Sequence, residues 1–204
     1  MSEIEFPRVI PVISSNRSDS ASGLAEALVK GGLPCAEVTL RTDAAIELIK
    51  RLSKDDRLLV GAGTVHSVDD AERAVAAGAR FLVTPGINLK TLEWCSRNSV
   101  CVIPGVSNPT DLETLLEFDI GLAKFFPAEP LGGVAMLKAL SGPYNGMRFV
   151  PTGGINKENV GDYLALKNVL ACGGSWVAPT SLIDSHRFDE IEVLVSECVT
   201  LICQ

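Results

Sequence analysis

Histidine is scarce in this chain of 204 residues, which contains only His66 and His186. Two histidines exclude a histidine-rich metal site, and they argue against a zinc centre, whose usual ligands are histidine and cysteine. The six cysteines contain no pair spaced as CxxC, and most lie among apolar residues, as Cys101 does between Val100 and Val102. We therefore interpret the cysteines as reduced packing residues and expect no bound metal.

Runs of lysine and arginine are also missing, and the net charge of the chain is −7. A nucleic-acid-binding protein needs a basic patch, so this chain lacks the electrostatic footprint of one. No apolar run reaches the roughly 18 residues that a membrane-spanning helix needs. The segment 1–5 carries two acids where a secretory signal would be positively charged. We expect a soluble cytoplasmic protein without nucleic-acid or membrane partners, in which a local site captures any acidic substrate.

Eight short apolar runs recur along the chain, and their starts lie about 20 to 27 residues apart. This spacing leaves room for a helix and two short loops between strands, which is typical of βα units in a parallel sheet. The runs occupy residues 9–13, 36–40, 58–60, 81–83, 101–103, 122–126, 148–150 and 169–172. The pattern predicts an α/β protein whose single domain, 1–204, is a (β/α)8 TIM barrel, with an open doubly wound sheet as the alternative.

The segments between these runs carry helix signals. Asn108 precedes a proline and an acid, Ser67 precedes Asp70, and Asn156 precedes a polar turn, so each predicts the start of a helix. Apolar residues between 191 and 202 recur at the spacing of one helical face and should dock on the outside of the sheet. They are Ile191, Leu194, Val195, Cys198, Leu201 and Ile202.

Two predicted strands place charged residues where side-chain alternation directs them into the barrel. Glu37, Thr39 and Arg41 share one face of the second strand. The same alternation points Lys124 inward, together with Phe126. Buried ion pairs are poor stabilisers compared with apolar residues, so charges that meet near one mouth of the barrel are better explained by chemistry.

A lysine amine in such a setting can act as a nucleophile once it has lost its proton. The reference pKa of lysine, about 10.4, leaves little neutral amine at neutral pH, so the surroundings must favour the neutral form. Burial and the charge of Arg41 would favour it, whereas Glu37 would oppose it. Two structural interpretations stay open: a buried Glu37–Lys124 ion pair that only fills space, or Lys124 on an exposed edge with its charge in water.

Five motifs resemble, in this order, those of the 2-keto-3-deoxy-6-phosphogluconate (KDPG) aldolases, also called 4-hydroxy-2-oxoglutarate aldolases. They are EVTLRT at 37–42, GAGTV at 61–65, KFFPAE at 124–129, PTGGI at 151–155 and GGSW at 173–176. The resemblance implies a class I aldolase that cleaves KDPG to pyruvate and glyceraldehyde 3-phosphate and also acts on 4-hydroxy-2-oxoglutarate. The implied enzyme is a homotrimer of the Entner–Doudoroff pathway. It needs no cofactor, because the protonated imine is the electron sink.

The resemblance assigns the chemistry to two side chains, with Lys124 as the Schiff-base lysine and Glu37 as the proton-transfer group. It assigns the binding of the keto acid and the substrate chain to Arg41, Thr64, Pro85, Phe126 and Thr152. Within that set, the guanidinium and the Thr64 hydroxyl would hold the pyruvate carboxylate through hydrogen bonds.

The resemblance also assigns the phosphate to the glycine-rich loops after the last two strands, a common phosphate site in barrels. The residues are Gly153, Gly154, Gly174 and Ser175. Backbone amides without side chains can approach an oxyanion closely, and a helix N-terminus adds a favourable dipole. Arg17, after the first strand, is a further candidate for contact with the substrate, and a solvated loop is its alternative.

Three other functions fit parts of the sequence. The substrate could be the galactonate epimer, because the stereochemistry at C4 depends on the shape of the pocket. A phosphate-binding barrel isomerase or synthase would use Glu37 as its base and Lys124 only as an electrostatic donor. A non-enzymatic sugar-phosphate-binding protein would use the same glycine loops.

Overall fold

Nine strands and nine α-helices occur within residues 4–203, the part of the chain that the computed structural model describes. The predicted domain, 1–204, and the N-terminal segment 1–5 extend beyond this part. The strands are β1 (Val9–Ile13), β2 (Cys35–Thr39), β3 (Leu59–Gly63), β4 (Phe81–Val83), β5 (Cys101–Ile103), β6 (Gly105–Val106), β7 (Leu122–Phe125), β8 (Arg148–Phe149) and β9 (Cys172–Gly174). The helices are α1 (Ala21–Gly31), α2 (Ala45–Leu52), α3 (Val68–Ala76), α4 (Leu89–Arg97), α5 (Pro109–Glu117), α6 (Gly133–Leu140), α7 (Val160–Leu164), α8 (Thr180–Asp184) and α9 (Phe188–Ile202).

The strands pair in parallel and close into a barrel. Six of them are ordered β5-β4-β3-β2-β1-β9, and three are ordered β6-β7-β8. Single parallel bridges, Phe149 to Val169 and Thr152 to Gly173, join the β8 side to the β9 side. The predicted (β/α)8 barrel is confirmed, and the open sheet is wrong because the sheet closes on itself.

Pro104 explains why the barrel has nine short strands instead of eight. It separates β5, which pairs with β4, from β6, which pairs with β7. Proline has no amide hydrogen to donate to a sheet, but its carbonyl still accepts from the Lys124 amide at 2.8 Å. The fifth predicted run therefore continues past its predicted end, and β5 and β6 together serve as one barrel strand. The eighth strand, in turn, begins at Cys172 and not at residue 169.

Two of the three predicted helix starts are confirmed. The side chain of Asn108 accepts a hydrogen bond from the Asp111 amide at 3.1 Å, and that of Ser67 accepts from the Asp70 amide at 3.1 Å. The third is wrong by about one turn, because α7 begins only at Val160. The carboxamide of Asn156 accepts from amides within the turn that precedes this helix.

The C-terminal helix α9 packs against α1 through two glycines of α1. A Cβ atom on Gly31 would lie 2.5 Å from Val195, and one on Gly23 would lie 2.2 Å from the ring of Phe188. The predicted docking face is confirmed where it is buried, but Leu201 is 40% exposed and lies off it. No helix within residues 4–203 is both long and apolar enough to cross a membrane.

The interior of the barrel changes from apolar to polar along its axis. At the end where the strands begin, Ile10, Cys35 and Phe81 form part of a buried apolar cluster, and the ring of Phe6 packs edge-on against Phe81 at 5.0 Å. Two residues further along β2, the inward position is occupied by Glu37, which is buried. The apolar cluster thus forms a floor at the N-terminal ends of the strands, and the polar side chains lie above it, toward the C-terminal ends.

Candidate active site

A cavity of about 290 Å³ opens at the C-terminal ends of the strands. Nine of the predicted site residues line it: Arg41, Thr64, Pro85, Lys124, Phe126, Thr152, Gly153, Gly154 and Ser175. Four residues that the sequence did not assign complete the wall: Val12, Thr39, Ile155 and Gly173. The fold thus brings together residues from the ends of seven strands that are far apart in the sequence.

Lys124 and Glu37 form a buried pair at the base of this cavity. The Lys124 Nζ lies 3.3 Å from Oε1 of Glu37, and the two residues are only 6% and 1% exposed. The ring of Phe126 lies 5.0 Å from the same amine, measured to its centroid. The interpretation that placed Lys124 on an exposed edge is wrong. Because the amine also borders the cavity, a small molecule in the cavity can reach it.

Glycines of β3 make room for the carboxylate of Glu37. A Cβ atom on Gly63 would lie 2.3 Å from Glu37 Oε1, far inside van der Waals contact. A Cβ atom on Gly61 would lie 2.3 Å from the ring of Phe81 in the apolar floor. The GAGTV motif therefore has a steric reason inside the barrel, in addition to the loop that follows it.

Arg41 lies on the rim of the cavity and not inside the barrel. The alternation that predicted an inward side chain fails, because β2 ends at Thr39 and the chain turns there. Arg41 is exposed and lines the cavity, and its Nε donates a hydrogen bond to Thr39 Oγ1 at 3.1 Å. The residue therefore borders the same cavity as Lys124 without sharing its burial.

Thr64 has a backbone conformation that is rare for its residue type. Its φ angle is 60°, in the left-handed region, where a β-branched side chain is strained. It directly follows β3 and lines the cavity. Such strain is typical of residues whose side chains are held in place for binding.

In the loop at 152–154, the carbonyl groups accept hydrogen bonds from the protein, whereas the amides of the two glycines have no acceptor among the described residues. The carbonyls accept hydrogen bonds from the amides of Ala128 and Glu129 at 2.8 and 3.1 Å, and from the side chain of Asn159 at 3.0 Å. The amides of the two glycines, and that of Ser175, donate to no acceptor within residues 4–203. Both glycines have positive φ, 96° and 86°. These free amides border the cavity and can bind an anion.

Three predicted site residues do not line the cavity: Glu37, which lies behind Lys124, and Gly174 and Arg17. A Cβ atom on Gly174 would lie 1.8 Å from the ring of Trp176, and its neighbour Gly173 borders the cavity instead. Arg17 is exposed and forms an ion pair with Asp19 at 2.8 Å. Its hydrogen bond to that carboxylate is the main reason why the pKa of Asp19 is lowered to about 2.

The cysteines do not contribute to the cavity, and all six are free thiols. Burial raises the pKa of Cys172 to about 12 and those of Cys95 and Cys198 to about 11, which keeps these thiols protonated. The packing interpretation is wrong for Cys203, which is exposed. Within residues 4–203, no three His, Cys, Asp or Glu side chains are grouped where they could hold a metal ion.

Comparison with known proteins identifies the family. The family model described as KDPG and KHG aldolase matches residues 2–194. A 2-dehydro-3-deoxy-phosphogluconate aldolase of Treponema pallidum is 45% identical over 98% of this chain and 95% of its own length. A KHG/KDPG aldolase of Escherichia coli K12 is 40% identical over 94% of this chain and 90% of its own.

The structural comparison agrees with the sequence relatives. A KDPG aldolase of Legionella pneumophila superposes with a TM-score of 0.91 at 41% identity, over 95% of this chain and 94% of that one. That enzyme was captured with pyruvate as a covalent carbinolamine intermediate. The family expected from the five motifs is confirmed, and this chain belongs to the KDPG and KHG aldolases.

Proposed function

We propose that this protein cleaves KDPG to pyruvate and glyceraldehyde 3-phosphate through a Schiff base on Lys124, and that it also cleaves 4-hydroxy-2-oxoglutarate (KHG). The observation that carries the proposal is the position of the Lys124 amine, which borders the cavity and lies 3.3 Å from a buried carboxylate. The names of the relatives support the substrates, because they include both KDPG and KHG aldolases.

Imine formation begins when the neutral Lys124 amine attacks the C2 ketone of the substrate. Glu37 is the carboxylate that can move protons here, because it is in hydrogen-bond contact with Lys124 Nζ. The resulting carbinolamine gains a proton on its hydroxyl group and loses water, which leaves a protonated imine. The carbinolamine trapped in the Legionella relative supports this step.

The protonated imine then accepts the electrons of the C3–C4 bond. Glu37, directly or through a water molecule, removes the proton of the C4 hydroxyl as that bond breaks. The aldehyde leaves, and the electrons form an enamine on the lysine. Protonation at C3 and hydrolysis release pyruvate and restore the amine of Lys124.

The keto acid is held by residues at the rim and on the walls of the cavity. Arg41 and Thr64 bind the carboxylate, the first through charge-assisted hydrogen bonds and the second through its hydroxyl. Pro85 and Phe126 form the apolar walls, and Thr152 lies beside the rest of the chain. All five side chains line the same cavity as the amine of Lys124, which supports this assignment.

The phosphate binds at the opposite end of the substrate, on the amides of Gly153, Gly154 and Ser175. The free amides of these residues support this assignment, because an oxyanion supplies the acceptor that the protein does not. Gly174 has no Cβ atom, which lets the ring of Trp176 pack closely against this loop. Arg17 stays a predicted contributor, and its ion pair with Asp19 favours a surface role. The homotrimer and the cytoplasmic location also stay predictions.

An assay for pyruvate, coupled to lactate dehydrogenase, tests the proposed function. With KDPG, the protein should release pyruvate at the same rate with and without EDTA, and the galactonate epimer should be cleaved more slowly. Lys124→Ala should release none, whereas Lys138→Ala, which changes an exposed lysine of α6, should retain full activity. Binding of KDPG without pyruvate release would instead support a sugar-phosphate-binding protein.

A further inference from the structure

Thr39 connects the wall of the barrel to the arginine on the rim. It is the last residue of β2, it is 3% exposed, and it lines the cavity between Glu37 and Arg41. Its hydroxyl donates to the carbonyl of Ile13 at 2.9 Å and accepts from Nε of Arg41 at 3.1 Å. One buried hydroxyl therefore joins β1, β2 and the guanidinium.

The direction of these two hydrogen bonds is fixed by their chemistry. A carbonyl can only accept, so the single hydroxyl proton of Thr39 points toward Ile13. The guanidinium can only donate, so a lone pair of the same oxygen points toward Arg41. Because the Thr39 hydroxyl both donates to Ile13 and accepts from Arg41, rotating it would break these hydrogen bonds. The hydroxyl therefore holds Nε of Arg41 at one place on the rim.

The rest of the guanidinium has no partner in the described part of the chain. Neither Nη1 nor Nη2 of Arg41 donates to any acceptor there, and Arg41 forms no ion pair with a carboxylate there. Arg51 and Arg57 are exposed too, but their guanidinium groups are paired with Glu47 and Asp55. Arg41 thus has one nitrogen anchored to the protein and two free for a ligand.

We propose that Thr39 is a positioning residue, which fixes the Arg41 guanidinium so that its Nη1 and Nη2 meet the carboxylate of the keto acid as a fork. The inference rests on the proposed role of Arg41. An unanchored exposed arginine would lose conformational freedom on binding, whereas an anchored one has already lost it. The effect is specific to the carboxylate end of the substrate.

The condensation direction separates the two ends, because pyruvate and glyceraldehyde 3-phosphate are then independent substrates. Thr39→Val replaces the hydroxyl by a methyl of similar shape, so it should raise the KM for pyruvate roughly 3- to 10-fold, as for the loss of one hydrogen bond. The KM for glyceraldehyde 3-phosphate and kcat should change less than about 2-fold. Thr39→Ser, which keeps the hydroxyl, should restore the KM for pyruvate.

Arg41→Lys is the second variant, and it applies even if Thr39→Val fails to fold. Lysine keeps the charge but has neither Nε nor the fork, and the position is exposed, so folding should be unaffected. It should raise the KM for pyruvate at least as much as Thr39→Val does, and adding Thr39→Val to it should have no further effect.

Different results would contradict the proposed role of Arg41 and the positioning role of Thr39. If Arg41→Ala left the KM for pyruvate unchanged, the proposed role of Arg41 itself would be wrong. If Arg41→Ala raised that KM but Thr39→Val did not, or if Thr39→Val raised both KM values equally, the positioning role of Thr39 would be overturned. Full activity of Arg41→Lys would also overturn it, because a fixed fork would then be unnecessary.

Discussion

The amine of Lys124 and the carboxylate of Glu37 meet inside the barrel at 3.3 Å, although 87 positions separate them in the sequence. Lys124 belongs to β7 and Glu37 to β2, so closure of the barrel is what brings them together. Buried ion pairs contribute little net stability compared with apolar residues of similar size. The pair is therefore better explained by a reaction that needs an amine and a proton acceptor at one point.

Glu37→Gln should lower kcat by about 10²- to 10⁴-fold, the usual contribution of a general acid or base. Glutamine keeps the shape and can still accept a hydrogen bond, but it cannot take up a proton, so both imine formation and C–C cleavage should slow. The steady-state pyruvate assay measures the effect. Glu47→Gln, which removes an exposed carboxylate of α2, is the control and should be as active as the wild type. Unchanged turnover in Glu37→Gln would remove this residue from the mechanism.

Thr64→Gly should stabilise the fold and weaken binding of the keto acid. Strain in the left-handed region costs on the order of 1–3 kcal/mol, of which glycine recovers part, so the free energy of unfolding should rise by about 1 kcal/mol. Loss of the hydroxyl should raise the KM for pyruvate roughly 3- to 10-fold. Chemical denaturation and steady-state kinetics measure the two effects, and Thr64→Ser should change the KM little. A less stable Thr64→Gly protein would contradict the strain.

Ser175→Asp should raise the KM for KDPG at least about 10-fold, because a carboxylate close to the phosphate repels it. The KM for 4-hydroxy-2-oxoglutarate, which has no phosphate, should rise much less. Ser175→Asn has a similar size without the charge and is the matched control. Equal increases for both substrates would place the phosphate elsewhere.

Gly154→Ala should disturb the same phosphate loop by a steric route. Its Cβ would lie 2.6 Å from Cγ of Glu129, and its φ of 86° disfavours alanine, so the substitution should cost more than about 1 kcal/mol of stability. The KM for glyceraldehyde 3-phosphate should rise and that for pyruvate should not. Gly161→Ala is the control, because nothing lies within 4 Å of its Cβ, and the helix should become slightly more stable. A rise in the KM for pyruvate alone would contradict the assignment.

Much of the fold and the site follows from periodicity in the sequence. The spacing of apolar runs predicts the barrel, and alternation along two strands predicts that Lys124 and Glu37 both point inward. The side-chain period of a strand is fixed by its geometry, so alternation predicts direction for as long as the chain remains a strand. Glu37 lies within β2 and points inward as predicted.

Alternation and apolar spacing no longer predict side-chain direction or strand pairing where a strand ends or is interrupted. Arg41 lies two residues beyond the end of β2, in the turn that follows, so alternation no longer determines where its side chain points. Pro104 divides a barrel strand because it cannot donate to the ladder, and a run of apolar residues does not show which neighbours each half will choose. Gly173 and Gly174 are adjacent and chemically identical, and they differ in what they pack against, since a Cβ atom would meet Thr152 at Gly173 and Trp176 at Gly174. These features depend on tertiary contacts that no local pattern contains.

Borohydride reduction in the presence of pyruvate tests the central claim most directly, because it converts a transient imine into a stable secondary amine. Mass spectrometry of the digested protein should find the reduced pyruvate adduct on Lys124, and Lys124→Ala should carry no adduct. Lys138, the exposed lysine of α6, should stay unmodified in both proteins. Absence of any adduct, or an adduct that persists in Lys124→Ala, would contradict the Schiff-base mechanism.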